Sequence, residues 1–258
     1  MARELVVSDE QRSIHAEVLG AGPAVVLIPS LGRGAEDFFD LKQRLVDAGF
    51  QVILPQPRGI GASTGSTRDI TLYDLAEDVH QVVRSVTDKP VVVLGHAFGN
   101  RVARAFGTRY PEQTKGLILL AAGSAPHLPP EITKALRDSF RGDLPEDQHL
   151  AAIKLAFFAE GNDPATWRSG WYAQVAQYQE QATRAAPAQE WWAGGEAPLL
   201  VIQPVEDRVA PPENAAKLQK EFPQRVQVRM LEKAGHASLP EQPQQIARYV
   251  TDWLRQQH

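Results

Sequence analysis

The sequence predicts an α/β protein: a mostly parallel central sheet flanked by helices, with a helical segment inserted late in the chain. Two observations carry that prediction. Short continuous apolar runs bounded by glycine or proline, the pattern of strands buried on both faces, alternate with longer stretches of helical spacing. The alternation stops near residue 124, gives way to helical pattern without strands, and resumes near residue 196.

Composition bounds the class further. Of 258 residues, 43% are hydrophobic and 22% charged, with a formal net charge of −4 and no cysteine. Such a balance belongs to a globular chain and excludes disorder as its main state. Without cysteine there is no disulfide framework, no thiolate zinc site, no iron–sulfur cluster and no cysteine nucleophile. Lys and Arg are scattered and slightly outnumbered by Asp and Glu, so nucleic acid is not an expected partner. No run approaches the roughly 18 apolar residues that span a bilayer, so no membrane partner is expected. The opening residues, Met-Ala-Arg-Glu-Leu-Val-Val, lack a signal-peptide pattern, and the expected location is cytoplasmic. Oligomeric state is left open by the sequence.

In chain order, residues 3–8 and 12–19 alternate polar and apolar positions and predict an antiparallel hairpin. Residues 24–28, Ala-Val-Val-Leu-Ile, predict the first doubly buried strand. A helix over about 36–48 carries Phe39, Leu41, Leu45 and Val46, and a strand at 51–54 is ended by prolines. Leu72, Leu75, Val79 and Val83 form one stripe of a helix over 71–87, which leads to a strand at 91–94. A helix over 98–110 stops before Pro111, and a further strand follows at 116–121. From 124 to 195, helical pattern is punctuated by Pro126, Pro129, Pro130, Pro145, Pro164 and Pro187. A strand at 198–203, a helix at 211–222, a strand at 226–231 and a helix at 243–256 complete the chain. The expected organisation is one domain over 1–258, with a core of 1–123 and 196–258 and a helical cap at 124–195.

Ligands in open parallel sheets bind outside the carboxyl ends of the strands. Three loops there stand out: Gly95-His96-Ala97-Phe98-Gly99, Pro204-Val205-Glu206-Asp207-Arg208 and Ala234-Gly235-His236-Ala237. Small residues at both ends of the first suit a sharp strand-to-helix turn. Ile28-Pro29-Ser30-Leu31-Gly32 and Pro57-Arg58-Gly59-Ile60-Gly61-Ala62-Ser63 follow earlier strands.

Taken in order, these motifs resemble the α/β-hydrolase superfamily, in particular its serine esterases and lactonases with a helical cap. The family's Gly-x-Ser-x-Gly elbow matches 95–99, and its nucleophile, acid and histidine match positions 97, 207 and 236. The resemblance implies that His236 is the general base, Asp207 its orienting acid, and the N–H groups of Leu31 and Phe98 the donors to an oxyanion. It implies a small-molecule carbonyl substrate and no cofactor.

One position departs decisively: the nucleophile place holds Ala97. A methyl group has no proton to give up and forms no acyl-enzyme, so the covalent hydrolytic route is missing. Two readings stay open. In one, a Ser→Ala substitution has disabled an esterase. In the other, the chain is naturally without a nucleophile and is either a lyase, cyclase or cofactor-free oxygenase that uses His236 and Asp207 as a base, or a receptor-like binder. Pro29-Ser30 and Asn100 also depart from the family's frequent residues.

Glu206 is a rival acid beside Asp207. His96 is expected to be packed and hydrogen-bonded, Arg58 to hold its turn, and Arg33 to be solvated at the surface. His15, His80, His127, His149 and His258 show no metal-ligand pattern, and no glycine run has dinucleotide or phosphate-loop spacing. No metal is expected. Trp167, Trp171, Val175 and Tyr178 recur at spacings that place them on one helix face, with Trp191 and Trp192 at its exit. Trp167, Trp171, Tyr178, Trp191 and Trp192 are thus the expected lining of a pocket for a small apolar or aromatic substrate.

Overall fold

In a computed structural model of the chain, residues 2–123 and 128–257 are described. The expected boundary at Ser124, together with Pro126, His127 and His258, lies outside them. The chain opens with the hairpin β1 (Arg3–Ser8) and β2 (Arg12–Leu19). Its turn is held by Asp9, whose carboxylate accepts the N–H groups of Gln11 and Arg12 at 2.8 and 3.0 Å. β3 (Ala24–Ile28) leads through a short 3-10 turn to α1 (Phe39–Asp47), then β4 (Gln51–Pro55) and the two-residue β5 (Thr64–Gly65). α2 (Leu72–Val86) begins at a capping box in which Thr71 and Asp74 satisfy each other's backbone donors. β6 (Val91–His96), α3 (Gly99–Arg109) and β7 (Thr114–Leu120) follow.

Among the described residues, four helices lie between β7 and the next strand: α4 (Pro130–Ser139), α5 (Glu146–Phe157), α6 (Ala173–Ala185) and α7 (Ala188–Trp191). β8 (Leu199–Pro204), α8 (Glu213–Glu221), β9 (Val226–Leu231), α9 (Ser238–Glu241) and α10 (Pro243–Gln256) complete the fold. The strands run β1-β2-β4-β3-β6-β7-β8-β9, with β5 beside β2. From β4 through β3 to β9 every pairing is parallel, and Leu27, Leu94, Ile118 and Leu200 stand in register across it. The carboxyl ends of β3, β6, β7, β8 and β9 therefore share one edge.

Both faces of this sheet are covered, as the continuous apolar runs require. Val26, Val93, Leu117 and Val201 pack with Val79, Val102 and Phe106. Their chain neighbours Leu27, Leu94, Ile118 and Ile202 pack on the other side with Leu41, Leu45, Val250 and Trp253. A third cluster joins Ala135, Ile153, Phe157 and Trp167 of the inserted segment to Ala237 after β9.

Two sequence expectations are corrected. Trp167, Trp171, Val175 and Tyr178 do not share one helix: Trp167 ends a 3-10 turn (Pro164–Trp167), α6 starts only at Ala173, and Gly170 between them turns the backbone at φ +84°. Arg33 is not solvated but 3% exposed, because Asp37 provides a buried counter-charge through a two-point guanidinium–carboxylate contact.

Arg58 braces its turn, as the sequence suggests. Its Nε and Nη2 donate to the two oxygens of Asp78 at 2.6 and 2.8 Å, and its Nη1 donates to the Ser66 carbonyl. Arg12 reaches the same carboxylate at 3.0 Å. Arg58→Met leaves Asp78 buried with one cation and is expected to cost about 3 kcal/mol in urea unfolding; adding Asp78→Leu should recover most of that loss.

Candidate active site

The centre of the site is the turn between β6 and α3. Ala97 sits at its apex with φ +50°, in the left-handed region, which costs a non-glycine residue about 1 kcal/mol or more. The turn is tight because chain segments cross there. A Cβ on Gly95 would lie 2.2 Å from the Gly99 carbonyl oxygen, and one on Gly99 would lie 2.3 Å from that of Ile28. Only glycine fits either position. The Ala97 N–H donates to the Leu120 carbonyl at 2.9 Å, and its methyl faces a cavity.

The loop after β3 is fixed against α6. The Gly32 N–H donates to the buried Gln179 side chain at 2.8 Å, while the Gly32 carbonyl accepts the Tyr172 N–H at 2.9 Å. Among the described residues, the N–H groups of Leu31 and Phe98 have no protein acceptor. Both residues line the same cavity as Ala97.

After β8, the Asp207 carboxylate accepts the N–H groups of Val209 and Ala210 at 2.9 and 2.7 Å. Helix α8 is capped by Pro212, so Asp207 is not its cap. Instead its oxygens lie 3.0 and 2.9 Å from His236 Nδ1. That contact places a proton on Nδ1 and leaves the Nε2 lone pair free, since a carboxylate only accepts. Glu206, the rival acid, accepts the exposed Glu160 N–H instead.

His236 is anchored by its main chain. His96 Nε2 donates to the His236 carbonyl at 2.8 Å, the Ala237 N–H donates to the Phe157 carbonyl at 2.8 Å, and the Gly235 N–H donates to Glu241 Oε2 at 2.7 Å. Glu241 Oε1 also accepts the Ala159 N–H and the Asn162 amide at 2.7 and 2.6 Å, so one carboxylate holds both the β9 loop and the end of α5. Burial pushes the Glu241 carboxyl up from its ordinary value, and these hydrogen bonds oppose the shift. His96 is fully buried, and desolvation, reinforced by the neighbouring His236, lowers it to about 3.

The cavity has a volume of about 270 Å³. Trp167, Trp171, Phe157 and Phe140 form apolar walls, with Ala97 and His236 at the sheet edge. Arg33 forms a further wall: it donates to the Ser169 carbonyl at 2.8 Å and stacks over Trp167 and Trp171, 4.3 and 4.6 Å from the ring centroids.

The structure thus brings Ala97, Asp207, His236, Leu31, Phe98, Trp167 and Trp171 together, but not the other three aromatics. Tyr178 donates to the Arg58 carbonyl at 3.0 Å and borders a separate void of about 40 Å³. Trp191 is buried and donates to the Ala186 carbonyl at 3.1 Å; it and Trp192 lie against Arg104, 4.8 and 4.6 Å from its guanidinium carbon. These two rings shield a buried cation whose side-chain hydrogen-bond partner among the described residues is Asn100, 2.8 Å away. Sequence reasoning missed the lining residues Arg101 and Glu180. Arg101 was detectable, since it lies one helical turn beyond Ala97. Among the described residues, no group of three His, Asp or Glu is placed to hold a metal, and no helix is long and apolar enough to cross a membrane.

A family model described as the alpha/beta hydrolase family matches residues 25–249. The AB hydrolase superfamily protein YfhM of Bacillus subtilis is 26% identical over 155 residues, covering 58% of this chain and 52% of that protein. The chain spans about half the length of the curated relatives it matches. Among solved structures, a thermophilic esterase from Thermogutta terrifontis superposes with a TM-score of 0.81 at 21% identity, over 99% of both chains. An esterase from Exiguobacterium antarcticum gives 0.80 at 17% identity, over 99% of this chain and 100% of that one. At such identities the likeness is one of fold.

His96 has a consequence for stability. In the folded chain it stays neutral down to about pH 3, whereas an unfolded histidine takes up its proton near 6.5. Between those values the unfolded state binds the extra proton, so folding stability falls as pH falls. From pH 7 to pH 5 this contributes a loss of about 2 kcal/mol, which His96→Gln should remove from the pH dependence of urea unfolding.

Proposed function

Because the chain belongs to the alpha/beta hydrolase family, we propose that its cavity is a serine-hydrolase-type site, for a small, largely apolar ester, lactone or related carbonyl substrate, whose nucleophile position is occupied by Ala97. Residues 124–195 act as its lid, and the amides of Leu31 and Phe98 form its oxyanion hole. The observation that carries the reading is the His236–Asp207 contact at 2.9 and 3.0 Å, which leaves Nε2 as a free base in the cavity that Ala97 lines.

The chemistry follows from these placements. With a hydroxyl at position 97, His236 Nε2 would take its proton as the oxygen attacks the bound carbonyl, Asp207 would support the imidazolium, and the two N–H groups would meet the charge on the carbonyl oxygen. With the Ala97 methyl there is no proton to transfer and no bond to form. The chain then binds and polarises a carbonyl compound without acylation. Esterases among the structural neighbours support the substrate class.

The same free lone pair favours a second reading. His236 acts directly on an acidic C–H or O–H of a bound substrate, with the Leu31 and Phe98 amides holding the developing charge, as in a lyase, cyclase or cofactor-free oxygenase. A receptor-like role uses the cavity with no chemistry at all.

The readings separate by experiment. Ala97→Ser is expected to create turnover of 4-nitrophenyl butyrate that the unaltered chain lacks, and adding Asp207→Asn should lower that kcat by about 10⁴-fold. Equal inactivity of both forms overturns the hydrolase reading. The second reading instead expects product from the unaltered chain that disappears with His236→Ala.

A further inference from the structure

Among the described residues, three charged side chains line the cavity alongside His236: Arg33, Arg101 and Glu180. Two of them have counter-ions of their own. Arg33 is paired with Asp37 through two contacts, at 2.8 and 2.5 Å, and Glu180 is 3.5 Å from Arg184. The Arg101 side chain has neither a hydrogen bond nor an ion pair among the described residues; its N–H donates to the Phe98 carbonyl at 2.9 Å. A largely buried guanidinium with five unmet donors is costly in a pocket whose walls are mainly aromatic and aliphatic. Desolvation lowers its pKa below the ordinary arginine value, and the charge of Glu180, beyond ion-pair distance, only opposes the shift.

Its position adds to that cost. Arg101 lies in the first turn of α3, and the first turn carries no acidic residue. The helix dipole disfavours a cation there. Nothing among the described residues repays either penalty, so the missing partner is to be sought in the cavity.

We propose that Arg101 is the specificity-determining residue of this cavity and that it binds a carboxylate carried by an otherwise apolar ligand. A planar guanidinium matches a carboxylate with two parallel hydrogen bonds, and in a water-poor pocket such a contact outweighs one at the surface. A volume of about 270 Å³ suits a small monocarboxylate whose hydrocarbon part lies against Trp167, Trp171 and Phe157. The inference rests on the cavity being the substrate site, and it narrows the substrate to a half-ester, or a comparable carbonyl compound, bearing one free acid group.

The test is equilibrium binding to the full chain of 4-phenylbutyrate and of its neutral amide, followed by calorimetry. The acid should bind about tenfold tighter or more. Arg101→Gln should erase the preference, and Arg101→Lys, which keeps a point charge but not the planar fork, should retain part of it. Thermal melts of each variant establish that it is folded. Equal affinities, tighter binding of the amide, a preference that survives Arg101→Gln, or no binding of the acid at millimolar concentration each overturn the proposal. Failure here is distinct from failure of the hydrolase reading. Turnover of neutral esters by Ala97→Ser without acid preference removes only the role of Arg101, whereas acid preference without any such turnover removes only the acyl-transfer chemistry.

Discussion

The geometry of the sheet edge depends on one close crossing, where β6 turns into α3 beneath the end of β3. Gly95, Gly99 and the Ile28 carbonyl approach so closely that no side chain fits between them. That contact forces Ala97 into the left-handed region and presents its side chain at the apex. It also starts α3 at the edge, so that the N–H of Phe98 has no acceptor among the described residues and Arg101 emerges one turn later into the same space. The parallel register does the rest, delivering the loops that carry Asp207 and His236 to the same edge.

The inserted helices are joined to that edge by a few hydrogen bonds rather than by a broad apolar seam alone. Gln179 holds Gly32, Phe157 holds Ala237, and Glu241 gathers Gly235, Ala159 and Asn162 on one carboxylate. The bonds at Gly32, Gly235 and Ala237 end on the backbone of loops that bear a candidate functional group. Arg33 serves similarly from the other side, its charge spent on Asp37 and its faces on two tryptophans. The polar groups of the site are thus largely oriented by partners that themselves are buried, which fixes them without relying on solvent.

Much of this was legible in the sequence. The strands were readable because a doubly buried parallel strand needs a continuous apolar run, and the helices because their stripes recur at helical spacing. The turn at 95–99 was readable because a crossing that excludes Cβ atoms leaves glycine on both sides of its apex. What failed were inferences that depend on where a side chain goes after its backbone is placed. The aromatic stripe from Trp167 to Tyr178 kept its spacing by coincidence across a break at Gly170. Arg33 looked like a surface residue because the two tryptophan rings and the Ser169 carbonyl that bury it come from a distant segment that only the fold unites with it, although its counter-ion Asp37 is four residues away. Trp191 and Trp192 face a buried arginine, not a ligand, and no local pattern distinguishes the two.

The strained turn at Ala97 has one more implication. Serine and alanine differ by a single oxygen atom, and the backbone there is held by glycine contacts and by a hydrogen bond from Ala97 N–H to Leu120, none of which involves the side chain. Scaffold and reagent are therefore separable at this position. A lineage built on this frame could acquire or lose covalent chemistry by one atom while its sheet, its loops and its cavity remained as they are.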